Sequence, residues 1–329
     1  MNRIVCRKYG PPDVLQIEKT KKPKPKDHEV LIKVYATTVT VADCRIRGFK
    51  VPTSFWLPAR FTLGFFKPKQ SVLGSELSGI IESVGKNVNR FKVGEKIFAF
   101  LEHRFGAYSE YVCVDENACI TQKPENLSFS QSAPLSFGGI TALYFLKKGK
   151  VTKSDKILIY GASGSVGTYA IQLAKYLGAD VTGVCSAENM KLVKKLGADK
   201  VIDYTNPNWT DFNEKFDVFF DAVGKNNIPK SIQMINPRGR YIHTVTDPFT
   251  EAKIRFYLLK SNIKFIGGTY QATLEQIKDI AKLAEEGFIK PVLDQQYKFD
   301  EIVSAHDYVD KGHKKGNVVI TIKHDKIND

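Results

Sequence analysis

Two hydrophobic patterns divide the chain. Up to about residue 122, apolar and polar residues alternate in short runs such as Glu29–Tyr35, which is typical of half-buried strands. From Lys156 onward, continuous apolar runs are followed by segments in which apolar residues recur at helical spacing. The first pattern predicts an antiparallel, barrel-like domain. The second predicts the strand–helix alternation of a doubly wound parallel sheet, so the expected fold class is α/β.

The end of the chain returns to the first pattern. A segment with helical spacing, 274–287, is followed by two strand-like runs, one around Val292 and one over Asn317–Ile322. Their alternation is closer to that of the first domain than to that of the second. We therefore expect an interrupted arrangement, in which residues 1–124 and 271–329 form the barrel-like domain and residues 125–270 form the parallel sheet.

A glycine-rich turn joins the first strand and helix of that sheet. The apolar run Ile157–Tyr160 precedes glycines at 161, 164 and 167, and apolar residues then repeat at helical spacing up to Leu177. Strand, glycine turn and helix in this order place backbone N–H groups and a helix N-terminus where a pyrophosphate can bind. The match to G-x-G-x-x-G is incomplete, because Ala162 stands at the first position. A turn with only a structural role is the alternative.

The residues after the next strand bear on which dinucleotide binds. NAD sites carry an Asp or Glu there that accepts hydrogen bonds from the ribose 2′-OH. This chain has Ser186, whose neutral side chain does not repel a 2′-phosphate, so the sequence favours NADP(H). Glu188 would oppose that preference if it pointed at the pocket, and Ser186 could also be a helix N-cap.

The composition is that of an ordinary globular protein. Of 329 residues, 43% are hydrophobic and 26% are charged, and no segment is long and apolar enough to span a bilayer. The first residues lack the apolar core of a signal peptide, which predicts a cytoplasmic location. The five cysteines are scattered and include no C-x-x-C pair. We expect reduced thiols rather than disulfides or a cysteine-rich zinc site.

The formal net charge of +14 would attract anionic partners such as NADPH, nucleic acid or an acidic membrane surface. The densest basic run, Lys19–Lys26, contains two prolines and precedes a strand, which is typical of a solvated loop. No RNA-recognition signature with interleaved aromatic residues accompanies it, so no specific nucleic-acid partner is expected.

Short motifs, most of them containing glycine, recur along essentially the whole chain. They lie at 72–76 with Gly79, 84–88, 91–95, 106–112, 161–167, 196–199 with 203–204, 220–224 and 312–319. In order and spacing the chain resembles the medium-chain dehydrogenase/reductase superfamily. More narrowly, it resembles the zinc-independent quinone oxidoreductase group, which includes zeta-crystallin and the enoyl or enone reductases.

The resemblance implies a fold, a cofactor and a reaction. The fold would combine a GroES-like β-barrel domain with a Rossmann domain. The reaction would transfer hydride from NADPH to a quinone or to the β-carbon of an α,β-unsaturated carbonyl, and the chain would form a homodimer. The implied cofactor residues are Thr141 near the nicotinamide, Gly164, Ser165 and Val166 at the pyrophosphate, Ser186 and Asn189 at the adenosine ribose, Tyr204, Val223 and Gly224 lining the cofactor, and Lys315 and Asn317 approaching from the tail.

The zinc-dependent branch of the superfamily differs at the positions that hold its catalytic metal. Its Gly-His-Glu motif corresponds to Gly74-Ser75-Glu76 here, and its first catalytic cysteine corresponds to Thr40. The region of its last ligand, 136–140, contains no cysteine, and the cysteine-rich lobe that holds structural zinc is missing. The resemblance therefore implies chemistry without a metal.

The residues around the substrate are less well specified. The family's Asn-Pro-x-Asp motif corresponds to Thr40-Val41-Ala42-Asp43 here, so Thr40 and Asp43 are candidates for groups that orient the substrate. The motif identifies no proton donor. The aromatic stretch 55–66 is expected to be a surface loop that covers a hydrophobic substrate pocket with Trp56 and Phe61. Packing against neighbouring protein is the alternative.

Two other functions stay compatible with the sequence. One is a non-enzymatic NADPH-binding protein, because relatives of this fold serve as lens proteins or bind RNA. The other is a metal-free carbonyl or alcohol dehydrogenase. Oxidation of NADPH by a simple quinone separates the enzyme from the binding protein, and turnover of aldehydes identifies the dehydrogenase.

Overall fold

The computed structural model describes residues 1–51, 56–210, 214–245 and 247–324. Within these residues the chain forms two compact units. The first contains Met1–Phe137, Ala272–Glu285 and the chain from Leu293, and the second contains Gly138–Gln271 and Glu286–Val292. Each unit has its own sheet and its own hydrophobic core.

Strands and helices are numbered along the chain. The strands are β1 (Asn2–Cys6), β2 (Leu15–Lys19), β3 (Glu29–Val39), β4 (Glu76–Val84), β5 (Lys96–Phe100), β6 (Tyr111–Asp115), β7 (Cys119–Gln122), β8 (Lys156–Tyr160), β9 (Asp180–Cys185), β10 (Lys200–Asp203), β11 (Phe216–Asp221), β12 (Ile235–His243), β13 (Lys264–Ile266), β14 (Leu293–Lys298) and β15 (Asn317–Thr321). The helices are α1 (Val41–Gly48), α2 (Trp56–Leu63), α3 (Phe129–Ser132), α4 (Leu135–Lys148), α5 (Ser165–Tyr176), α6 (Met190–Lys195), α7 (Ile228–Gln233), α8 (Pro248–Leu258), α9 (Leu274–Glu285) and α10 (Ile302–Asp310). Within the described ranges, no helix combines the length and the apolar character needed to cross a membrane.

A seven-stranded sheet forms the centre of the first unit. Its order is β14-β15-β3-β4-β5-β7, and β6 also pairs with β3. The described pairs are antiparallel except β14 with β15. Val30, Ile32 and Val34 of β3 lie in one core, because alternate residues of a strand point to the same face. β15 pairs with the far end of β3, with Val318 opposite Val39, so the end of the chain is part of this sheet.

The second unit is built on a six-stranded parallel sheet in the order β10-β9-β8-β11-β12-β13. Counted from β8, this is the 3-2-1-4-5-6 order of dinucleotide-binding folds. Buried residues such as Leu158, Phe219 and Tyr241 pack between the strands and the covering helices. In such sheets ligands bind beyond the carboxyl ends of the strands, where the strand order reverses between β8 and β11.

The structure confirms the predicted fold class, which combines a doubly wound parallel sheet with a separate, mostly antiparallel sheet. The aromatic stretch differs from the expectation, because Trp56–Leu63 form helix α2 rather than a loop. Pro58 lies in the first turn of that helix, where its missing N–H breaks no intrahelical hydrogen bond. Phe55, the first residue of the stretch, lies outside the described residues.

Along the chain, the first unit gives way to the second between Phe137 and Gly138, inside α4. Ser136, just before that point, is bonded within the first unit, because its hydroxyl donates to Glu76 Oε1 at 2.9 Å. The boundaries expected at residues 124–125 and 270–271 stay a prediction.

Candidate cofactor and substrate sites

The glycine turn lies between β8 and α5 in the second unit. Gly161 has a φ of +82°, and the N–H groups of Gly161 and Ala162 both donate to the Val184 carbonyl, at 3.1 and 3.0 Å. A Cβ at Gly161 would lie 2.1 Å from a methyl carbon of Val223, and a Cβ at Gly167 would lie 2.1 Å from the Gly161 carbonyl oxygen. The packing of the turn itself therefore requires glycine at these two positions.

Gly164 differs from the other two glycines of the turn. It is the N-cap of α5, and its backbone is extended, with φ −79° and ψ 176°. Apart from its chain neighbours, the only described atom that a Cβ at Gly164 would meet is the Gly161 carbonyl oxygen, at an ordinary 3.4 Å. Ser165 and Val166 follow as the first two residues of the helix. The space beside Gly164, at a helix start, fits an anionic group such as a pyrophosphate.

Ser186 and Asn189 lie directly after β9. The Asn189 Nδ2 donates to the Ser186 Oγ at 2.9 Å, and the buried Asn189 Oδ1 has no hydrogen-bond partner in the described structure. Ser186 begins a short helical turn, but its side chain makes no capping hydrogen bond to the backbone. An unpartnered buried oxygen is costly, so a ribose hydroxyl or a water molecule fits this place. Tyr204 follows β10 and is 38% exposed, with its N–H donating to the Cys185 carbonyl at 3.0 Å.

Asp221, the last residue of β11, organises the loop that contains Val223 and Gly224. Its Oδ1 accepts from the Val223 and Gly224 N–H groups at 3.0 and 2.7 Å, and its Oδ2 accepts from Asn226 Nδ2 at 2.6 Å. His243 Nδ1 lies 3.2 Å from the same Oδ2, and both residues are buried. Sequence reasoning missed this pair. The available signal was a carboxylate that ends a buried apolar strand at the carboxyl edge of the sheet.

Thr141, predicted near the nicotinamide, is buried in α4. Its hydroxyl lies 2.6 Å from the Tyr270 hydroxyl, and Tyr270 stacks on Tyr144 with ring centroids 4.7 Å apart. The Thr141 hydroxyl is thus hydrogen bonded within the second unit. Its role toward a cofactor stays a prediction.

Lys315 and Asn317 lie in the first unit, whereas the other predicted cofactor residues lie in the second. The Lys315 N–H donates to Asp294 Oδ2 at 2.8 Å, and Asn317 is buried as the first residue of β15. Beside them, burial lowers the pKa of Lys314 to about 8, although the nearby carboxylates of Glu76 and Asp294 act in the opposite direction. Sequence reasoning missed that shift.

Thr40 and Asp43, the candidate orienting groups, form a capping box at the start of α1. Asp43 Oδ2 accepts from the Thr40 N–H at 2.9 Å and from its hydroxyl at 2.6 Å, and the Asp43 N–H donates back to the hydroxyl at 3.1 Å. Asp43 Oδ1 accepts from the Gly74 N–H at 3.2 Å. Burial raises the pKa of Asp43, and these hydrogen bonds oppose the rise. The pair fixes its own loop, and a part in catalysis stays a prediction.

Glu76 holds together the region where zinc-dependent relatives bind their catalytic metal. Its Oε2 accepts from the Thr38 hydroxyl at 2.6 Å, and its Oε1 accepts from the Ser136 hydroxyl at 2.9 Å and the Phe137 N–H at 2.6 Å. Burial raises the pKa of Glu76 to about 7 against the effect of these bonds. Serine rather than histidine stands at position 75, and no set of three His, Cys, Asp or Glu in the described residues is arranged to hold a metal ion. This donor set does not fit a catalytic zinc.

A further buried polar cluster in the first unit was missed from the sequence. Cys44 Sγ lies 3.3 Å from His306 Nδ1, and the Tyr108 hydroxyl lies 3.1 Å from His306 Nε2. Burial lowers the pKa of His306 to about 3 and raises that of the Cys44 thiol, so both groups stay neutral. The fully buried Arg47 pairs with Asp310 close by. The cluster joins α1 to α10 by contacts between residues that are far apart in the sequence.

The aromatic residues of α2 differ in how firmly they are held. Trp56 packs edge-on against Phe49 with ring centroids 6.2 Å apart, and the Arg60 guanidinium lies 3.8 Å from the Phe49 ring centre and 4.8 Å from that of Trp56. Phe61 is 66% exposed and contacts Phe65. Trp56 is therefore anchored, whereas Phe61 is available for another contact.

Comparisons with known proteins agree with this architecture. The alcohol dehydrogenase GroES-like domain family matches residues 26–125, and the zinc-binding dehydrogenase family matches residues 196–320. A 2-methylene-furan-3-one reductase of Solanum lycopersicum is 31% identical over 328 residues, which cover 95% of this chain and 76% of that protein. A chloroplastic NADPH-dependent alkenal/one oxidoreductase of Arabidopsis thaliana is 30% identical over 334 residues, which cover 97% and 79%. The structure of the quinone oxidoreductase from Coxiella burnetii superposes with a TM-score of 0.87 at 29% identity and covers 98% of this chain and 99% of that one.

A parallel sheet with a glycine turn and a separate antiparallel sheet are the two parts of a medium-chain dehydrogenase/reductase. The chain belongs to this superfamily, and within it to the zinc-independent quinone oxidoreductase group. The predicted resemblance is thereby confirmed. Although one matching family is described as zinc-binding, the residues at its catalytic metal position have been replaced in this chain.

Proposed function

We propose that this chain is an NADPH-dependent, zinc-independent reductase that transfers hydride to a quinone or to the β-carbon of an α,β-unsaturated carbonyl. The names of its relatives support this class, since they describe a reductase of a methylene-furanone and an NADPH-dependent alkenal/one oxidoreductase. When bound, NADPH supplies the hydride from its nicotinamide C4. The chain supplies binding, orientation and exclusion of water.

The observation that carries the proposal is the difference among the three glycines of the turn. Gly161 and Gly167 are required by packing, whereas the space beside Gly164 is left open at the start of α5. A pyrophosphate site needs backbone N–H donors and one position at which the backbone can approach the pyrophosphate closely. We therefore assign Gly164, Ser165 and Val166 to the pyrophosphate.

The residues after β9 support NADPH over NADH. Ser186 is neutral, and the Asn189 amide can present either its oxygen or, after a flip, its NH2 group to a ligand. Glu188 of the same turn is exposed and is not held by a hydrogen bond in the described structure. A 2′-phosphate needs donors and is repelled by a fixed carboxylate. We assign Ser186 and Asn189 to the adenosine ribose, and Tyr204, Val223 and Gly224 to the cofactor lining.

The polar side chains of the first unit hold neighbouring parts of the protein in position, and we assign none of them a role in proton transfer. Thr40 and Asp43 fix the start of α1 by mutual hydrogen bonds, and we assign them an orienting role toward the substrate. Glu76 is occupied by three donors. With no Lewis acid to polarise the substrate carbonyl, hydrogen-bond donors take that part, and the proton comes from solvent or a side chain.

A substrate panel tests the proposal. Purified protein is assayed with NADPH and with NADH against quinones, enones and saturated aldehydes, in the presence and absence of a zinc chelator. We expect NADPH oxidation by quinones or enones that the chelator does not change. Turnover of saturated aldehydes alone would identify a carbonyl reductase, and NADPH binding without any turnover would identify a binding protein. Loss of activity with the chelator would contradict the metal-free assignment.

We also propose the interrupted domain arrangement, a homodimer and a cytoplasmic location. Pairing of β15 with β3 supports assigning 1–124 and 271–329 to one domain and 125–270 to the other. The parallel sheet ends at β13, an edge that a second copy could extend. All five cysteines are free, which suits a reducing compartment. Limited proteolysis tests the domain boundaries, light scattering tests the dimer, and imaging of a tagged chain tests the location. A monomer would contradict the proposed dimer, and an organellar signal would contradict the proposed location.

A further inference from the structure

A buried histidine at the carboxyl edge of the parallel sheet has one ring nitrogen without a partner. His243 is the last residue of β12, and only 1% of it is exposed. Its Nδ1 lies 3.2 Å from Asp221 Oδ2, whereas its Nε2 has no hydrogen-bond partner among the described residues. A buried polar atom without a partner is costly, and a ligand atom that bonds to it offsets that cost.

The surroundings of Asp221 determine which ring nitrogen of His243 carries a proton. Asp221 Oδ1 accepts from the backbone N–H groups of Val223 and Gly224, and Oδ2 accepts from the Asn226 side chain. Because a carboxylate only accepts hydrogen bonds, His243 Nδ1 donates to it. In the neutral imidazole, Nε2 is then an acceptor. The ligand group that fits Nε2 is therefore a hydrogen-bond donor.

A hydrogen-bond network holds the imidazole in this orientation. Asn226 Oδ1 accepts from the Tyr241 hydroxyl at 3.1 Å and from the Ser231 hydroxyl at 3.2 Å. Tyr241 lies two residues before His243 on β12, so both side chains are on the same face of the strand. The network fixes Asn226, which in turn bonds Asp221 Oδ2 beside the ring. His243 Nε2 is thus an acceptor whose position is set before any ligand arrives.

His243 adjoins the loop that we assign to the cofactor. A Cβ at Gly224 would lie 3.2 Å from His243 Cε1, the carbon between the two ring nitrogens. Gly224 has a φ of +73°, a backbone conformation that favours glycine. Glycine at this position therefore leaves the edge of the imidazole next to Nε2 without a covering side chain.

The position of His243 in the sheet indicates which part of a dinucleotide it meets. A doubly wound dinucleotide-binding sheet consists of two halves, each of which binds one mononucleotide. Ser186 and Asn189, assigned to the adenosine ribose, follow β9 in the half formed by β8, β9 and β10. Gly224 follows β11 and His243 ends β12, so both belong to the other half. That half would hold the nicotinamide and its ribose.

We propose that His243 Nε2 accepts a hydrogen bond from the nicotinamide–ribose half of the cofactor. This half offers two kinds of donor, the ribose hydroxyls and the NH2 group of the carboxamide. His243 contacts the cofactor, whereas Asp221 acts through His243 as a positioning residue. The inference rests on the proposed NADPH-dependent function and adds a residue that orients the half of the cofactor from which hydride leaves.

Calorimetric titration of the full chain with NADPH and with adenosine 2′,5′-bisphosphate tests the proposal. The bisphosphate contains the adenosine half of NADPH and lacks the nicotinamide half. In His243→Asn, the side-chain amide can keep the hydrogen bond to Asp221 from the place of Nδ1, but no atom replaces Nε2. We expect the Kd for NADPH to rise about tenfold. The Kd for the bisphosphate should change by less than about twofold.

Tyr241→Phe is the matched control. It removes a hydroxyl that bonds Asn226 in the same network and leaves His243 in place. We expect it to change the Kd for NADPH by less than about twofold. Far-UV circular dichroism and thermal denaturation check that both variants fold. Equal losses of affinity for NADPH and the bisphosphate in His243→Asn, or an equal loss for NADPH in Tyr241→Phe, would overturn the proposal and assign the network a structural role.

Nuclear magnetic resonance of isotopically labelled histidine nitrogens reports the contact in the natural chain. The resonance of His243 Nε2, identified by its loss in His243→Asn or His243→Gln, should move upfield when NADPH is added. It should stay in place when the bisphosphate is added, since that ligand lacks the nicotinamide half. A resonance that does not respond to NADPH, or that shows Nε2 becoming protonated, would overturn the proposal.

An NADPH analogue with 3-acetylpyridine in place of nicotinamide distinguishes the two donors, because a methyl group replaces the carboxamide NH2. If the carboxamide is the donor, the natural chain and His243→Asn should bind the analogue equally. If a ribose hydroxyl is the donor, the roughly tenfold difference should persist. A natural chain that bound neither NADPH nor the bisphosphate would contradict the proposed function itself. A natural chain that bound both, with His243→Asn binding both as tightly, would contradict this inference alone.

Discussion

Two regions of the molecule contain the same kinds of hydrogen-bonding groups, namely backbone N–H groups and small polar side chains. One is the start of α5 in the second unit, and the other is the polar cluster around Asp43 and Glu76 in the first unit. They differ in how these groups are satisfied. At α5, the space beside Gly164 is left open by the protein. Around Asp43 and Glu76, four carboxylate oxygens all accept hydrogen bonds from neighbouring residues.

This difference distinguishes a place that can bind a ligand from a place that stabilises the fold. An anionic ligand can enter open space beside a helix N-terminus at little structural cost. A buried carboxylate whose oxygens are all filled cannot take a new partner without losing an old one. We therefore expect substitutions at the first place to change ligand affinity and substitutions at the second place to change stability.

The largest expected effect is a pH-dependent stability contribution from Glu76. The pKa of Glu76 is raised from 4.5 to about 7 in the folded chain. Its protonated form therefore stabilises the fold fully below pH 4.5, and this stabilisation is lost as the pH rises through about 7. Relative to Glu76→Gln, the natural chain should lose up to about 3 kcal/mol of unfolding free energy across that window. Urea denaturation at several pH values measures the difference. Glu275→Gln, at an exposed site, is the control, and parallel curves for the natural chain and Glu76→Gln would contradict the account.

Gly167→Ala should have the next largest effect. The new Cβ would lie 2.1 Å from the Gly161 carbonyl oxygen, so the turn and α5 must move apart. We expect a loss of about 2 kcal/mol of unfolding free energy together with loss of NADPH binding. Thermal denaturation and a fluorescence titration measure the two effects. A variant of natural stability would show that the turn does not need glycine here.

Gly164→Ala should reverse that pattern. Its Cβ meets only an atom at 3.4 Å, so the unfolding free energy should change by less than about 0.5 kcal/mol. The same Cβ would occupy the space assigned to the pyrophosphate, so the Kd for NADPH should rise about tenfold or more. If the affinity were unchanged and the stability fell, the assignment of Gly164 would be wrong.

The smallest expected effect concerns the aromatic residues of α2. Phe61→Ala should raise KM for bulky quinones by roughly threefold and leave kcat unchanged, since only part of the ring is available to a substrate. Phe61 is a cleaner probe than Trp56, whose removal would also disturb the stacked Arg60. Val93→Ala, at an apolar residue that is 62% exposed and lies outside the stretch 55–66, is the control. Equal kinetics for both variants across a substrate panel would remove the hypothesis of a lid.

The sequence predicted features that depend on neighbours along the chain. The apolar run before Tyr160, the glycines after it and the helical repeat that follows are contiguous, so their pattern defines the β8–α5 unit. The neutral Ser186 was visible for the same reason. The helix at Trp56–Leu63 was missed because its residues are nearly all apolar and give no helical stripe.

Contacts between distant residues could not be predicted in this way. Ser136 and Glu76 are 60 positions apart, Asp221 and His243 are 22 apart, and Cys44 and His306 are 262 apart. Their pairing depends on which strands and helices become neighbours, and the raised pKa of Glu76 depends on burial that follows from it. Only the folded chain brings these groups together.

The central claim is that the open space beside Gly164, at the start of α5, holds the pyrophosphate of NADPH. The most direct measurement is a titration of NADPH fluorescence with the natural chain and with Gly164→Ala, after thermal denaturation has shown that the two chains are equally stable. The account predicts a saturable change in NADPH emission for the natural chain, a weaker response to NADH, and a shift of the NADPH curve to higher concentration in the variant. A natural chain that leaves the fluorescence of both nucleotides unchanged, or a variant that binds NADPH as tightly as the natural chain, would contradict it.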